Sequence, residues 1–267
     1  MRRLAESPGS VLKKKGNKTR LDLLLVEQGF VASRERARAL ILAGRVLVND
    51  LPVDKAGSLV VSTAAIRIAG NLSPYVSRGG EKIQGALEIF ALDVSGWVVL
   101  DVGASTGGFT DCLLQRGAKK VYALDVGYGQ LAWKLRTDCR VVPIERTNIR
   151  YFDGSNLADP IDLATIDASF ISLKLVLPKV ASFVRPGGMI LSLIKPQFEV
   201  GAERVGKNGV VSDPLLHRQV VANITDLCHD LRMEGIRTGD SPLLGPAGNK
   251  EFFILAQLPP CSFSASG

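Results

Sequence analysis

The sequence predicts an α/β fold with a mostly parallel sheet, preceded by a small α+β module. Three observations carry that reading. From Trp97 onward, stretches of strand character alternate with stretches of helical character, as in a parallel sheet with helices on both faces. Within that region Trp97–Ala118, WVVLDVGASTGGFTDCLLQRGA, joins a strand, a glycine-rich turn and a helix in that order. Charge also divides the chain: residues 1–80 hold 14 Lys/Arg against 6 Asp/Glu, and the remainder 19 against 20. All of the +7 excess therefore sits in the N-terminal third.

Residues 1–19 contain Pro8-Gly9-Ser10 and the run Lys13-Lys14-Lys15, a basic, flexible arm able to touch phosphates without reading sequence. A short apolar helix is predicted over Leu21–Gln28, closed by Gly29. Ser33 caps a second helix, Arg34–Ala43, ended by Gly44. Ala37, Leu40 and Ile41 form its inward face at i, i+3, i+4 spacing. Arg34 and Arg38 share another face, and Arg45 follows the helix end. Residues 45–50 read as a strand and turn, and Ile66–Ile68 as another strand. The clustered charge is an electrostatic footprint for nucleic acid. An anionic membrane surface is the weaker partner, because no basic amphipathic helix carries a bulky aromatic face. Residues 71–80, NLSPYVSRGG, form the expected linker, punctuated by Pro74 and Gly79-Gly80. A helix over Lys82–Phe90 follows.

Val98, Val99, Leu100 and Val102 read as a strand buried on both faces. Gly103, Gly107 and Gly108 leave the next turn free of bulky side chains, and Phe109–Arg116 continues as a helix ended by Gly117. Further strands are predicted at Val121–Leu124, ending in Asp125; at Val141–Ile144; at Leu163–Ile166, ending in Asp167; and at Met189–Ile194, ending in Lys195. Arg185-Pro186-Gly187-Gly188 turns into the last of these. Helices fall over Leu173–Phe183 and from Asp213-Pro214 through Met233, with proline at the first helical position. Glu251 introduces a closing strand, Phe252–Leu258.

Ligand and chemistry belong at the carboxyl ends of such strands. The glycines run G-x-x-x-G-G and not G-x-G-x-x-G. Asp101 and Asp125 close the first two strands. An acid about 20 residues past the glycine turn suits a ribose diol by accepting two hydroxyl hydrogen bonds. Together these favour an S-adenosylmethionine pocket over one for NAD. Lys195 directly follows the core-like Leu191-Ser192-Leu193-Ile194, and partial desolvation favours the neutral amine that a general base needs.

Cysteines at 112, 139, 228 and 261 form no C-x-x-C pair, and the chain has only two histidines. A zinc site is not expected; reduced thiols in a cytoplasmic protein are. No apolar run reaches the ~18 residues of a membrane span, and no apolar signal-peptide core is present near the start.

The pattern R-L-D-x-x-L…S-R-x-x-A-x-x-L-I…G-x-V-x-V-N over residues 20–70 resembles the S4 RNA-binding domain. Lys82, Asp167, Lys195 and Glu251 match the K-D-K-E tetrad of FtsJ-type RNA ribose 2′-O-methyltransferases. With DVGASTGGFT, ALDVGYGQLAWKLR, ERTNIR, DASFISL, IKPQFEVG, GVVSDP and SPLLGPAGNKEFF, the chain resembles the TlyA family, some of whose members are called haemolysins. The resemblance implies a Rossmann-like methyltransferase domain over residues 81–260, a short tail at 261–267, and Arg34, Arg38 and Arg45 facing structured RNA. It implies that Lys195 assists proton removal from a ribose 2′-hydroxyl, that Lys82 and Asp167 set the field around it, and that Glu251 orients the lysines or the hydroxyl. Gly103, Gly107 and Gly108 would lie along the methionine part of the cofactor. Asp101 and Asp125 complete that pocket, with Asp125 on the ribose, and Asn148 meets the adenine edge or caps its own turn. No metal is implied. The expected partner is ribosomal RNA or a ribosomal subunit, met by a monomer, with a cytidine as target. The short segment after the last strand implies the large subunit (23S), with 16S as a further target. A non-catalytic ribosome-binding factor and a membrane-active haemolysin are the alternatives.

Overall fold

The computed structural model describes residues 17–69, 73–245 and 247–260. Most of the basic arm, the first two linker positions and the tail with Cys261 lie outside the described residues. The chain divides into two compact units between Leu72 and Ser73.

The first unit runs β1 (Lys18–Arg20), α1 (Leu21–Glu27), α2 (Arg34–Leu42), β2 (Val46–Val48), β3 (Leu51–Pro52), β4 (Leu59–Val61) and β5 (Ile66–Ile68). β1 pairs antiparallel with β4, and β2 stands between β3 and β5. Ser33 caps α2 by accepting from the Arg36 N–H at 3.3 Å. Leu21, Leu25, Ala37, Ile41 and Val46 make the small core, with Leu40 partly buried against it. At its edge the fully buried Asp22 accepts from Arg20 through both carboxylate oxygens and from Arg34 Nε, each at 2.9 Å. The Arg20 hydrogen bonds, above all, hold the Asp22 carboxyl well below the usual carboxylate range. This ion cluster fastens the start of α1 to the start of α2.

The second unit runs α3 (Arg78–Ile89), β6 (Val98–Val102), α4 (Gly108–Gln115), β7 (Lys120–Leu124), α5 (Trp133–Arg136), β8 (Val141–Ile144), β9 (Ile161–Ile166), α6 (Leu173–Ala181), β10 (Val184–Ile194), α7 (Pro214–Asp230), β11 (Glu234–Asp240) and β12 (Phe252–Gln257). Its seven-stranded sheet has the order β11-β12-β10-β9-β6-β7-β8. Strands β8 through β10 are parallel, and β12 and β11 extend the sheet antiparallel. Alternate side chains feed two cores. Val99, Leu163 and Phe253 pack with Ile83 and Leu87 of α3 and Leu113 of α4. Leu100, Ala164 and Ile190 pack with Val176 and Val180 of α6 and Val220 and Ile224 of α7.

Five details depart from the sequence-based expectation. Residues 73–80 do not form a linker: they belong to the second unit, with Tyr75 buried and the Val76 N–H on Asp111 Oδ2 at 2.8 Å. Gly79 and Gly80 sit inside α3, since the Tyr75 ring occupies the place a Gly80 Cβ would need. The 185–188 turn lies within β10 as a register shift between Val184 and Met189. Asp101 does not close its strand, because β6 continues to Val102. And β11, carrying two glycines and three charged residues, lacks the apolar alternation that would announce a strand, as befits a sheet edge.

Candidate active site

The carboxyl edge of the parallel strands gathers the charged residues. Gly103 leaves β6 with φ +84°, and a Cβ there would stand 2.6 Å from the Asp167 carbonyl oxygen. A residue without a side chain thus brings the turn directly against the strand end that carries Asp167. The Gly103 and Ala104 N–H groups donate to the Leu124 carbonyl at 2.8 and 3.1 Å. Gly107, also left-handed, caps α4, and Gly108 is its first residue. The first-turn N–H groups of α4 have no partner within the helix, which favours electron-rich ligand atoms there.

Asp125, at the end of β7, is half-buried. One oxygen accepts from the Ser105 N–H at 2.8 Å and the other from the Gly127 N–H at 2.6 Å. Two backbone donors fix the carboxylate, and each oxygen retains acceptor capacity for a hydroxyl. Such an acceptor-only group beside a glycine turn and a helix start fits the ribose of S-adenosylmethionine. Asn148 is exposed, and its side-chain oxygen accepts from the Arg150 N–H at 3.0 Å, so it caps its own turn.

Asp101 is sealed in the core at 0% exposure, accepting from the Thr110 hydroxyl at 2.7 Å and the Thr165 hydroxyl at 3.0 Å. Burial pushes its carboxyl up to about 6. The folded state therefore binds a proton more readily than the unfolded chain, and stability rises as pH falls through 6 toward the unfolded value near 4. Above pH 7 the buried charge costs on the order of 3 kcal/mol relative to its protonated form. Asp101→Asn is expected to melt higher than the parent at pH 8, with the advantage shrinking toward pH 5. Thermal denaturation at both pH values checks this; a variant that melts lower at both would show that the ionised form is favoured.

Two ion pairs meet at the edge of β9, β10 and β12. Lys195, 8% exposed, follows β10. Its Nζ lies 2.6 Å from Asp167 Oδ1 and donates to the Ser169 hydroxyl at 2.8 Å. Lys82, 7% exposed on α3, donates to Glu251 Oε2 at 2.5 Å, and Glu251 is 1% exposed. Ile194 pairs with Phe252 across the antiparallel ladder, so the next step places Lys195 opposite Glu251. Glu251 Oε1 is buried without a hydrogen-bond partner among the described residues. Asp167 Oδ1 also has none of regular geometry, its lysine contact being an ion pair. A buried acceptor left with spare capacity, as at Glu251 Oε1, suits a site awaiting a donor.

Three residues here escape a reading by strand ends. Ser169 and Phe170 follow Asp167, and Glu199 follows Lys195. Phe170 is 91% exposed, has φ +63° and leans on Phe198 with ring centroids 5.1 Å apart. An exposed aromatic in a left-handed conformation beside a polar cluster was visible only as the fourth letter of DASF. In the first unit, the exposed Arg34 is tied to Asp22, the half-buried Arg45 donates to the Ala69 carbonyl at 3.0 Å, and Arg38 is exposed on α2. Among the described residues no helix is long and apolar enough to cross a membrane, and no His/Cys/Asp/Glu group is arranged for a metal.

Comparison with known proteins agrees with this architecture. The FtsJ-like methyltransferase family matches residues 75–258, and the S4 domain matches residues 19–65. The Mycobacterium tuberculosis 16S/23S rRNA (cytidine-2′-O)-methyltransferase TlyA is 45% identical over 89% of both chains. Hemolysin A of Brachyspira hyodysenteriae is 40% identical, covering 87% of this chain and 97% of that one. A solved structure of a hemolysin-named protein from Streptococcus thermophilus superimposes with a TM-score of 0.72 at 40% identity, over 94% of this chain and 93% of that one. The chain belongs to the FtsJ-like methyltransferase family, in the TlyA group that joins this domain to an N-terminal S4 domain.

Proposed function

We propose that this protein transfers a methyl group from S-adenosylmethionine to the ribose 2′-hydroxyl of a cytidine in ribosomal RNA. The observation that carries the reading is the Asp167–Lys195–Ser169 cluster beside the Lys82–Glu251 pair, all at the strand edge flanked by the glycine turn. The activity named for the M. tuberculosis relative supports it.

When bound, the cofactor supplies an electrophilic methyl group on a sulfonium. Asp125 would hold its ribose, and the turn from Gly103 to Gly108 with the start of α4 would hold its other end. Lys195 Nζ is held by Asp167 and Ser169. Once its ammonium proton has passed to Asp167 or solvent, the neutral amine takes the proton from the 2′-hydroxyl as that oxygen bonds the methyl carbon and the methyl–sulfonium bond breaks. A hydroxyl is a poor nucleophile, and cationic groups near the developing alkoxide stabilise it. Lys82, locked by Glu251, adds to that field. Holding hydroxyl and methyl in line supplies a further large share of the acceleration. Phe170 offers an open ring on which a splayed-out base can stack. The S4 domain would grip the RNA through phosphates and shape, with Arg34, Arg38 and Arg45 contributing charge.

Mass spectrometry of ribosomal RNA from cells with and without the protein tests the reading and names the nucleotide and subunit. Purified protein should also melt higher with S-adenosylmethionine, and Asp125→Ala should remove most of that shift. Unchanged RNA, or stabilisation by NAD instead, rejects the assignment.

A further inference from the structure

The turn after β9 carries Asp167 and Ser169, and the turn after β10 carries Lys195. Their relative placement sets where Lys195 Nζ stands, and one side chain fastens the two turns together. Glu199 follows a single helical turn, Pro196–Phe198, that continues directly from Lys195. That turn is closed by the Phe198 N–H on the Lys195 carbonyl at 2.9 Å and the Glu199 N–H on the Pro196 carbonyl at 3.0 Å. From there the Glu199 carboxylate reaches the other turn. Oε2 accepts from the Ser172 hydroxyl at 2.6 Å, and Oε1 accepts from the Leu173 N–H at 2.8 Å. Ser172 is itself the cap of α6, accepting from the Lys174 N–H at 3.1 Å. Between these ends lie the Lys195–Asp167 and Lys195–Ser169 contacts and the Phe170–Phe198 ring pair.

We propose that Glu199 is a positioning residue that clamps the Asp167 turn to the Lys195 turn and so fixes the proton-accepting amine against the ribose hydroxyl. The proposal rests on the methyl-transfer reading for its kinetic consequence, though not for the clamp itself. A carboxylate suits the task because both of its oxygens are used at once, and the N-terminus of α6 favours its charge. Neither contact involves the cofactor turn, so the clamp bears on the proton acceptor without touching cofactor binding. Small displacements of a positioned group carry large rate penalties.

The test compares Glu199→Ala and Glu199→Gln with the parent in the full chain. Glu199→Ala is expected to lower kcat on ribosomal RNA at least tenfold while the Kd for S-adenosylmethionine stays within twofold. Glu199→Gln, which keeps the shape and an acceptor for Leu173, should recover most of the rate. Amide hydrogen exchange of residues 168–173, without RNA, should rise in Glu199→Ala and stay near the parent in Glu199→Gln. Parent-like exchange and kcat in Glu199→Ala overturn the clamp, as does a loss of cofactor affinity matching the loss of rate. If the parent itself methylates no ribosomal RNA, the functional reading falls, and the exchange measurement still decides whether the clamp exists.

Discussion

Lys195→Ala is expected to lower methyl transfer by about 100-fold or more, the usual consequence of removing an acid–base group. Cofactor and RNA affinity should stay near those of the parent. The side chain sits at the end of β10, bound to Asp167 and Ser169. Truncation leaves Asp167 half-buried beside solvent, so the fold should tolerate the change. Lys195→Arg sharpens the result. Arginine keeps the positive charge yet cannot release a proton near neutral pH, so it too should fail. Single-turnover methylation with saturating cofactor, alongside equilibrium binding of both ligands, checks the separation. Activity restored by arginine would make Lys195 a fixed charge stabilising an alkoxide, with proton removal left to another group. Full activity in both variants would remove Lys195 from the reaction altogether.

What the sequence discloses about such a site follows from how its residues are placed. The parallel strands are short apolar runs, and Asp125, Asp167 and Lys195 stand out because each follows one directly. A charged residue at the end of a buried strand is legible from local pattern alone. The pairing of Lys82 with Glu251 is not, since 169 positions separate them and no periodicity links a helix surface to the residue before an antiparallel strand. Only the resemblance to a family grouped them. Asp101 is the converse case. Its place in an apolar strand next to a glycine turn suggested a ligand contact, but strand alternation aims it into the core, where Thr110 and Thr165 satisfy it. Glu199 was illegible for the reason that makes it interesting: its partners lie 26 and 27 residues away on another turn. The antiparallel edge β11 was missed because an edge strand need not be apolar.

Glu251→Ala is expected to destabilise the second unit by about 3–5 kcal/mol, the usual cost of leaving a buried charge without its partner. Lys82 is 7% exposed on a helix whose neighbours Ile83, Ala86 and Leu87 are core residues, so its amine has little freedom to escape to water. At roughly 2–4 °C per kcal/mol for a unit of this size, the melting temperature should fall by about 10 °C. A loss of activity in this variant alone would therefore say nothing about chemistry. The double replacement Lys82→Met with Glu251→Leu separates the two effects. An apolar pair of similar volume in place of a buried ion pair is often neutral or stabilising, so melting should return close to that of the parent. Methyl transfer should not return, because the field beside Lys195 is gone. Calorimetry and methylation on the same three proteins give the answer. A double variant that melts as low as Glu251→Ala would trace the loss to packing around Glu251 and not to the stranded ammonium. A double variant that regains activity would make the pair a structural element of the fold, with the chemistry confined to Asp167, Ser169 and Lys195.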